Sequence, residues 1–253
     1  MASGIDKTKE FWNRMASAPI DASVIDPNDR LGFKNQYISQ LRDQRILEAV
    51  GDDSLSEIAL DIGCGTGGLT QALASRVPSV LGLDISERLL YRTAERSFAG
   101  NVAFVQYDGQ AFPMYSSSVN LVVTYGVLIY LLENEDLQRI LQECYRVLVP
   151  GGRAIFVEQV GHRECFIRSE MKRRFDLVEL IEQFTRSGLV LRHDRVVRYG
   201  RFPLLLPIRF GLIPRAAFPF VGRLEAALGK VLRVPRYTYC DMLFELEKVP
   251  GMG

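Results

Sequence analysis

Four glycines crowd one twelve-residue stretch, Ala59-Leu-Asp-Ile-Gly-Cys-Gly-Thr-Gly-Gly-Leu-Thr, at positions 63, 65, 67 and 68. Glycine allows a tight turn and lets a ligand approach the backbone where a Cβ would clash. The amides of such a loop, and of a helix that starts there, face the ligand. Gly63, Gly65 and Gly68 also satisfy the GxGxxG pattern of dinucleotide folds, so the loop alone is ambiguous. Its acidic neighbours narrow the chemistry. Asp61, just before the glycines, would repel a pyrophosphate and suits a cationic amino acid moiety. Asp84 closes the next apolar run, 19 residues beyond Gly65, where a carboxylate can accept both hydroxyls of a ribose. Asp108, in Phe104-Val-Gln-Tyr-Asp-Gly-Gln, follows a third apolar run and can meet an adenine amino group.

These residues need a scaffold that brings the ends of several strands together. Apolar runs alternate with amphipathic segments from Glu57 onward, which predicts strands at 58–62, 80–84, 102–106, 119–124 and 153–159. Helices are expected at 68–76, 87–97, 134–148 and 168–187, with further strands at 189–199 and 238–247. Leu121-Val-Val-Thr and Ala154-Ile-Phe-Val read as strands buried on both faces. Strict β–α alternation makes this an α/β protein with a doubly wound, mostly parallel sheet. The 253 residues are expected to form a single domain: a helical lid over 1–50, a ligand-binding core over 55–200, a basic insertion over 201–236 and a last strand over 237–249. Hydrophobic and charged fractions of 47% and 24% are those of a globular protein. The start of the chain lacks the apolar stretch of a secretory signal, and Leu121–Leu132 is too short to span a bilayer, so a cytoplasmic location is expected. Cys64, Cys144, Cys165 and Cys240 are scattered, with no metal-ligand spacing, so no metal is expected.

The sequence resembles the class I S-adenosylmethionine-dependent methyltransferases, specifically the type-11 domain group. Asp61 to Gly67 resembles their first motif, Gly82-Leu-Asp-Ile-Ser their second, and Arg146-Val-Leu-Val-Pro-Gly-Gly the motif that follows the fourth helix. The resemblance covers roughly residues 35 to 160. It implies S-adenosyl-L-methionine as cofactor and a seven-stranded sheet with helices on both faces and an antiparallel last strand. It further implies that Gly63, Cys64, Gly65 and Gly67 surround the methionine part of the cofactor. Asp84 would hold the ribose, Ile85 would pack on adenine, and Asp108 with Gly109 would meet the adenine edge. Tyr125, at the end of the fourth strand, is a further candidate for the pocket wall. Many relatives have a Glu-His pair where this chain has Ile129 and Tyr130, so no catalytic role carries over to that spot. In some sugar and natural-product O-methyltransferases of the group a histidine after the fifth strand acts as base. His162 in Glu158-Gln-Val-Gly-His is therefore the candidate base, with Glu158 to orient it.

The acceptor is less constrained. The Asn/Asp-Pro-Pro-aromatic motif of nucleobase amino-methylating relatives and the Pro-Cys pair of cytosine C5 enzymes are both absent, which argues against DNA. Residues 195–236 carry nine arginines and lysines against Glu225 alone, a surplus of eight that leaves the rest of the chain at −7 within a total of +1. Five of the eleven prolines fall there, between Phe202, Phe210, Phe218 and Phe220. Pro219 can start a helix with Val221, Leu224, Leu228 and Val231 on one face. Such a segment suits a peripheral contact with anionic lipid, a lid over a phosphate-bearing substrate, or plain packing on the sheet. The insertion resembles those of methyltransferases in bacterial surface-glycan assembly. The expected acceptor is an oxygen of a small molecule or of a sugar or glycan intermediate, with Tyr37, Tyr130, Arg201 and Arg209 as candidate substrate contacts. An RNA methyltransferase using the insertion as a phosphate track, and a catalytically silent binding subunit, are the competing readings.

Overall fold

A computed structural model describes residues 4–20, 25–51, 58–167, 171–200, 202–232 and 239–249. Helices α1 (Gly4–Met15) and α2 (Phe33–Val50) precede β1 (Ile58–Ile62), α3 (Gly68–Leu73), β2 (Ser79–Asp84) and α4 (Glu87–Tyr91). β3 (Val102–Gln106), β4 (Val119–Tyr125), α5 (Asn134–Val147) and β5 (Leu148–Gly161) complete the parallel half. After it come β6 (Cys165–Ile167), β7 (Lys172–Asp176), α6 (Leu177–Arg186), β8 (Leu189–Tyr199), α7 (Leu205–Arg209), α8 (Phe218–Leu232) and β9 (Cys240–Lys248).

The sheet has nine strands rather than the seven expected. β3, β2, β1, β4 and β5 lie side by side in parallel, and β9 pairs antiparallel with both β5 and β8. Of the two extra strands, β7 falls in the region expected to be helical over 168–187, and β6 lies just before it. β6 and β7 form an antiparallel hairpin, and Phe175 and Asp176 of β7 pair in parallel with the last residues of β5. The helix starts only at Leu177, where the Asp176 side chain accepts from the amides of Val178 and Glu179 and so caps it.

Two cores sandwich the sheet. Leu60, Val122, Phe156 and Phe244 face one, behind α5 and α6; Ala59, Val123, Val157 and Leu243 face the other, behind α2, α3 and the insertion helices. Burial of alternate residues on opposite faces is why these strands read as unbroken apolar runs. In the insertion, Phe202, Ile208, Phe218 and Val221 pack into the second core. Its one acid, Glu225, is buried, accepting from the Tyr37 hydroxyl at 2.6 Å and from the Tyr199 amide at 2.6 Å. That carboxylate ties α2, β8 and α8 together. Tyr37→Phe leaves a buried carboxylate oxygen short of its donor, a cost of about 1–3 kcal/mol. The expected outcome is a lowered thermal midpoint with unchanged far-ultraviolet circular dichroism.

Candidate active site

The loop after β1 is held from below by β2. The amides of Gly63 and Cys64 donate to the carbonyl of Leu83 at 2.7 and 3.0 Å. The buried Asp84 carboxylate accepts from the Gly65 amide (2.8 Å, Oδ2) and from the Ser86 amide (2.7 Å, Oδ1). Gly63, Gly65 and Gly67 have φ values of 69°, 57° and 80°, in the left-handed region that favours glycine. A Cβ on Gly63 would come within 2.4 Å of Val127 Cγ2, and one on Gly67 within 2.6 Å of Phe98 Cζ. Side chains are therefore excluded at positions 63 and 67 of the loop.

Asp61 and Asp84 stand behind this loop at the carboxyl ends of adjacent strands. Asp61 is buried, and the Thr70 hydroxyl, a neutral donor, gives it a 2.7 Å hydrogen bond. Burial pushes its carboxyl up to about 7, against the opposing pull of Thr70 and of Arg42. Burial likewise pushes Asp84 up to about 6, opposed by its backbone amide donors. Arg42 of α2 pairs with Asp43 at 2.6 Å and lies over the Tyr125 ring, 4.8 Å from guanidinium to centroid.

These groups open onto a cleft of about 1110 Å³, part of it open to solvent. Its floor is Asp61, Gly63, Cys64, Gly65 and Asp84; Ile85, Gly109, Tyr125 and Tyr130 form its walls. Ile5, Thr8 and Trp12 of α1 cover it. Helix α1 is anchored there by the Ser86 hydroxyl, which donates to Asn13 Oδ1 at 2.7 Å, and by the stacking of Phe11 and Trp12 on Tyr130. Gly67 is not among the lining residues; its place in the loop is dictated by Phe98 and Phe104. Asp108 is exposed and accepts from the amides of Gln110 and Ala111, so its carboxylate organises the turn that presents Gly109.

A second cavity, of about 1620 Å³ including its open mouth, adjoins the first and shares Trp12, Ile25, Tyr125, Gly126 and Tyr130 with it. Glu158 reaches its wall, but the carboxylate is engaged elsewhere. Oε1 accepts from the amides of Val127 and Leu128, both at 3.0 Å, and Oε2 from that of Ile129 at 3.3 Å. Glu158 thus closes off the backbone turn after β4, and burial pushes its carboxyl up to about 7. Its hydrogen bonds do not run to His162, which sits on the exposed turn after β5 and lines neither cavity. Tyr37 likewise lies away from both cavities, in the second core with Glu225. Arg209 donates to the carbonyl of Asn28 at 2.6 Å and neighbours Asp26, supporting the mouth of the second cavity without lining it. Arg201 falls outside the described residues.

Arg42 and Trp12 join the first cavity, with Thr70 supporting Asp61 by its hydrogen bond, and Lys172, Arg174, Arg198 and Asp241 join the second. The last four are invisible to motif reading, because they meet only once β7, β8 and β9 are in register. Lys172-Arg-Arg-Phe-Asp, with Asp176 as a helix cap, is the one local signal that a strand, not a helix, precedes Leu177.

Comparison with known proteins places this geometry. Residues 59–152 match the family of methyltransferase domains. The chain is 37% identical over 160 residues to a demethylmenaquinone methyltransferase of Lactococcus lactis subsp. lactis (strain IL1403), covering 60% of this chain and 58% of that protein. It is 33% identical over 179 residues to malonyl-[acyl-carrier protein] O-methyltransferase 1 of Coxiella burnetii, covering 64% and 59%. The chain spans about half the length of the curated relatives it matches. Among solved structures, geranyl diphosphate C-methyltransferase from Streptomyces coelicolor A3(2) shares the fold at a TM-score of 0.66, 15% identity and 98% coverage of both chains. A SAM-dependent methyltransferase of Leishmania major does so at 0.68 and 16%, over 96% of this chain and 83% of that one.

The buried carboxyls give the ligand-free protein a definite pH response. Asp61, Asp84 and Glu158 bind protons more tightly folded than unfolded, since ordinary carboxyls titrate near 4. Between about pH 4 and 7 the folded state holds the extra protons, so stability falls as pH rises through that window. The thermal midpoint is expected to drop from pH 5 to pH 8, and Asp61→Asn to flatten that slope. A midpoint that climbs over the same range would contradict this assignment.

Proposed function

We propose that this chain, whose residues 59–152 match the family of methyltransferase domains, is a class I S-adenosylmethionine-dependent methyltransferase of the type-11 group that transfers a methyl group to an oxygen of a small molecule. The observation that carries the proposal is the meeting of two cavities at Tyr125, Gly126 and Tyr130, one shaped for the cofactor and one left for an acceptor. A sugar or glycan intermediate is one such acceptor. Among the relatives, some are named for quinones, some for malonyl-[acyl-carrier protein] and one for 18S rRNA, and their names span carbon, oxygen and nitrogen acceptors.

The residues fit the cofactor on two observations. Asp61 is a buried carboxylate that accepts its hydrogen bond from the neutral Thr70 hydroxyl, so an ammonium group has a partner waiting. A Cβ on Gly63 would collide with Val127, so the loop meets the cleft as bare backbone. In this reading Asp61 holds the amino group of the methionine end and Arg42 its carboxylate. Asp84 keeps the glycine loop in shape and presents a carboxylate edge to the ribose, while Ile85 and Gly109 border the adenine. When bound, the cofactor supplies a methyl group made electrophilic by its sulfonium.

The chain contributes position more than proton transfer. In-line displacement depends on holding the nucleophile against the methyl carbon, and a fixed geometry can supply much of the rate. Tyr125 keeps its proton, because burial raises its hydroxyl well above the ordinary range. Glu158 spends both oxygens on backbone amides. Neither serves as a base here. Tyr125 and Tyr130, at the junction, steer the acceptor, and α1 excludes water from above.

A second reading concerns where the protein works. Leu206, Phe210, Leu212 and Phe220 of the insertion are largely exposed, and Arg223 is exposed beside them. Apolar side chains interspersed with arginine suit the surface of a bilayer containing anionic lipid. No helix of the described residues is long and apolar enough to cross a membrane. The protein is expected to sediment with vesicles containing anionic lipid and not with neutral ones, and Phe210→Ser with Phe220→Ser to abolish it.

Binding of S-adenosylhomocysteine tests the cofactor assignment. Its ammonium group pulls the Asp61 carboxyl down from about 7, so binding below pH 7 releases protons. Calorimetry at pH 6.5 in two buffers of different ionisation enthalpy is expected to show that release. Asp61→Asn is expected to abolish it and to weaken binding about 10- to 100-fold, the worth of a charged hydrogen bond. Methyl label from the cofactor is expected in small-molecule product; label found solely in RNA would overturn the acceptor assignment.

A further inference from the structure

Part of the lining of the acceptor cavity is cationic. Lys172 and Arg174 are alternate residues of β7 and so share one face of that strand, and Arg198 of β8 joins them. Arg198 is only 4% exposed. It lies across from Asp241, its strand-register partner on β9, with Nε 3.2 Å from Asp241 Oδ2. That contact leaves Arg198 short of hydrogen bonds: neither Nε nor Nη1 has an acceptor in good geometry. Arg174 lies over the Tyr239 ring at 4.2 Å; its Nε has no hydrogen-bond acceptor, and Nη1 has only the Cys165 sulfur at 3.9 Å.

Among the described residues, the carboxylates that line this cavity are Asp26, Glu158 and Asp241. Asp241 sits among Arg198, Lys172 and Arg174 and feels all three, and Glu225 also acts on Arg198. Glu158 is turned to the backbone amides after β4, and Asp26 is paired with Lys34 at 2.6 Å. Buried guanidinium donors left without acceptors are costly, and the planar fork of arginine matches carboxylate and phosphate oxygens two at a time.

We propose that Lys172, Arg174 and Arg198 form an anion subsite in the acceptor cavity, and that the methyl acceptor carries a carboxylate or phosphate group seated there. This rests on the reading of the adjoining cleft as the cofactor site. The anionic group is an anchor: held on β7 and β8, it leaves the rest of the acceptor to extend toward Tyr125, Gly126 and Tyr130, where the two cavities meet. The same subsite discriminates against neutral acceptors, which would leave the Nη1 donor of Arg198 without an acceptor.

The test uses the full chain saturated with S-adenosylhomocysteine, whose binding is measured first by calorimetry. Inorganic phosphate and succinate are then titrated separately at constant ionic strength, with thermal midpoint as readout. Saturable stabilisation is expected from at least one of them, phosphate alone marking a phosphoryl group and succinate a carboxylate. Lys172→Gln with Arg174→Gln is expected to weaken it about tenfold or more while S-adenosylhomocysteine affinity stays the same; Arg223→Gln, on the exposed face of α8, is expected to leave both unchanged. Arg198 is left intact because it is buried against Asp241. An absence of saturable stabilisation, or equal stabilisation in the double variant, overturns the anion subsite while the cofactor reading stands. Failure of the unmodified chain to bind S-adenosylhomocysteine overturns that reading and the subsite with it.

Discussion

The site depends on how Asp84 spends its two oxygens. One takes the Gly65 amide and the other the Ser86 amide, so a single carboxylate at the end of β2 sets both the glycine loop after β1 and the entry to α4. Parallel strands end on the same edge of a sheet, and the hollow outside that edge is where open α/β sheets bind ligands. Here the loop could sag into that hollow. Asp84 and the Leu83 carbonyl hold it down, and Val127, Phe98 and Phe104 fill the space that any side chain on Gly63 or Gly67 would need. What remains is a cleft floored by backbone and two buried carboxylates.

Glu158 repeats the device one strand pair away. Its carboxylate gathers three successive amides after β4 and fixes the turn that carries Tyr130 into the junction of the two cavities. Ionised carboxylates buried this way are expensive, and burial holds Asp61, Asp84 and Glu158 near the point where they take up protons. Asp61 differs from the other two. Asp84 and Glu158 accept from backbone amides, whereas Asp61 accepts from a neutral threonine hydroxyl, and on the proposed reading a ligand ammonium completes its charge.

The parallel core was legible because burial on both faces forces apolar runs, and each expected strand from β1 to β5 lies within two residues of its observed bounds at all but the extended ends of β5. The glycine loop and its aspartates were legible because no other residue tolerates those backbone angles and approaches. Asp84 was read as a ribose ligand, and its work for the loop went unseen, since Gly65 and Ser86 lie on either side of it in space but not in pattern. The hairpin was missed because Lys172-Arg-Arg-Phe-Asp has a polar character that fits a helix surface as well as a strand lining a wet cavity. With it went Lys172 and Arg174. Glu158 was given to a histidine four residues away, while its partners lie 29 to 31 residues back along the chain. Contacts of that separation have no periodic signature.

Comparing two ligands tests the central claim, that Asp61 and Arg42 recognise the amino acid end of the cofactor, most directly. S-adenosylhomocysteine has that end and 5′-methylthioadenosine lacks it. Measured side by side at pH 8, where Asp61 is mostly ionised, the first is expected to bind at least about tenfold more tightly. Its advantage is expected to shrink at pH 6, while the affinity for 5′-methylthioadenosine stays nearly level. Equal affinities at both pH values would contradict the account, because recognition would then reside in the adenosyl half and the buried Asp61 would hold only the fold.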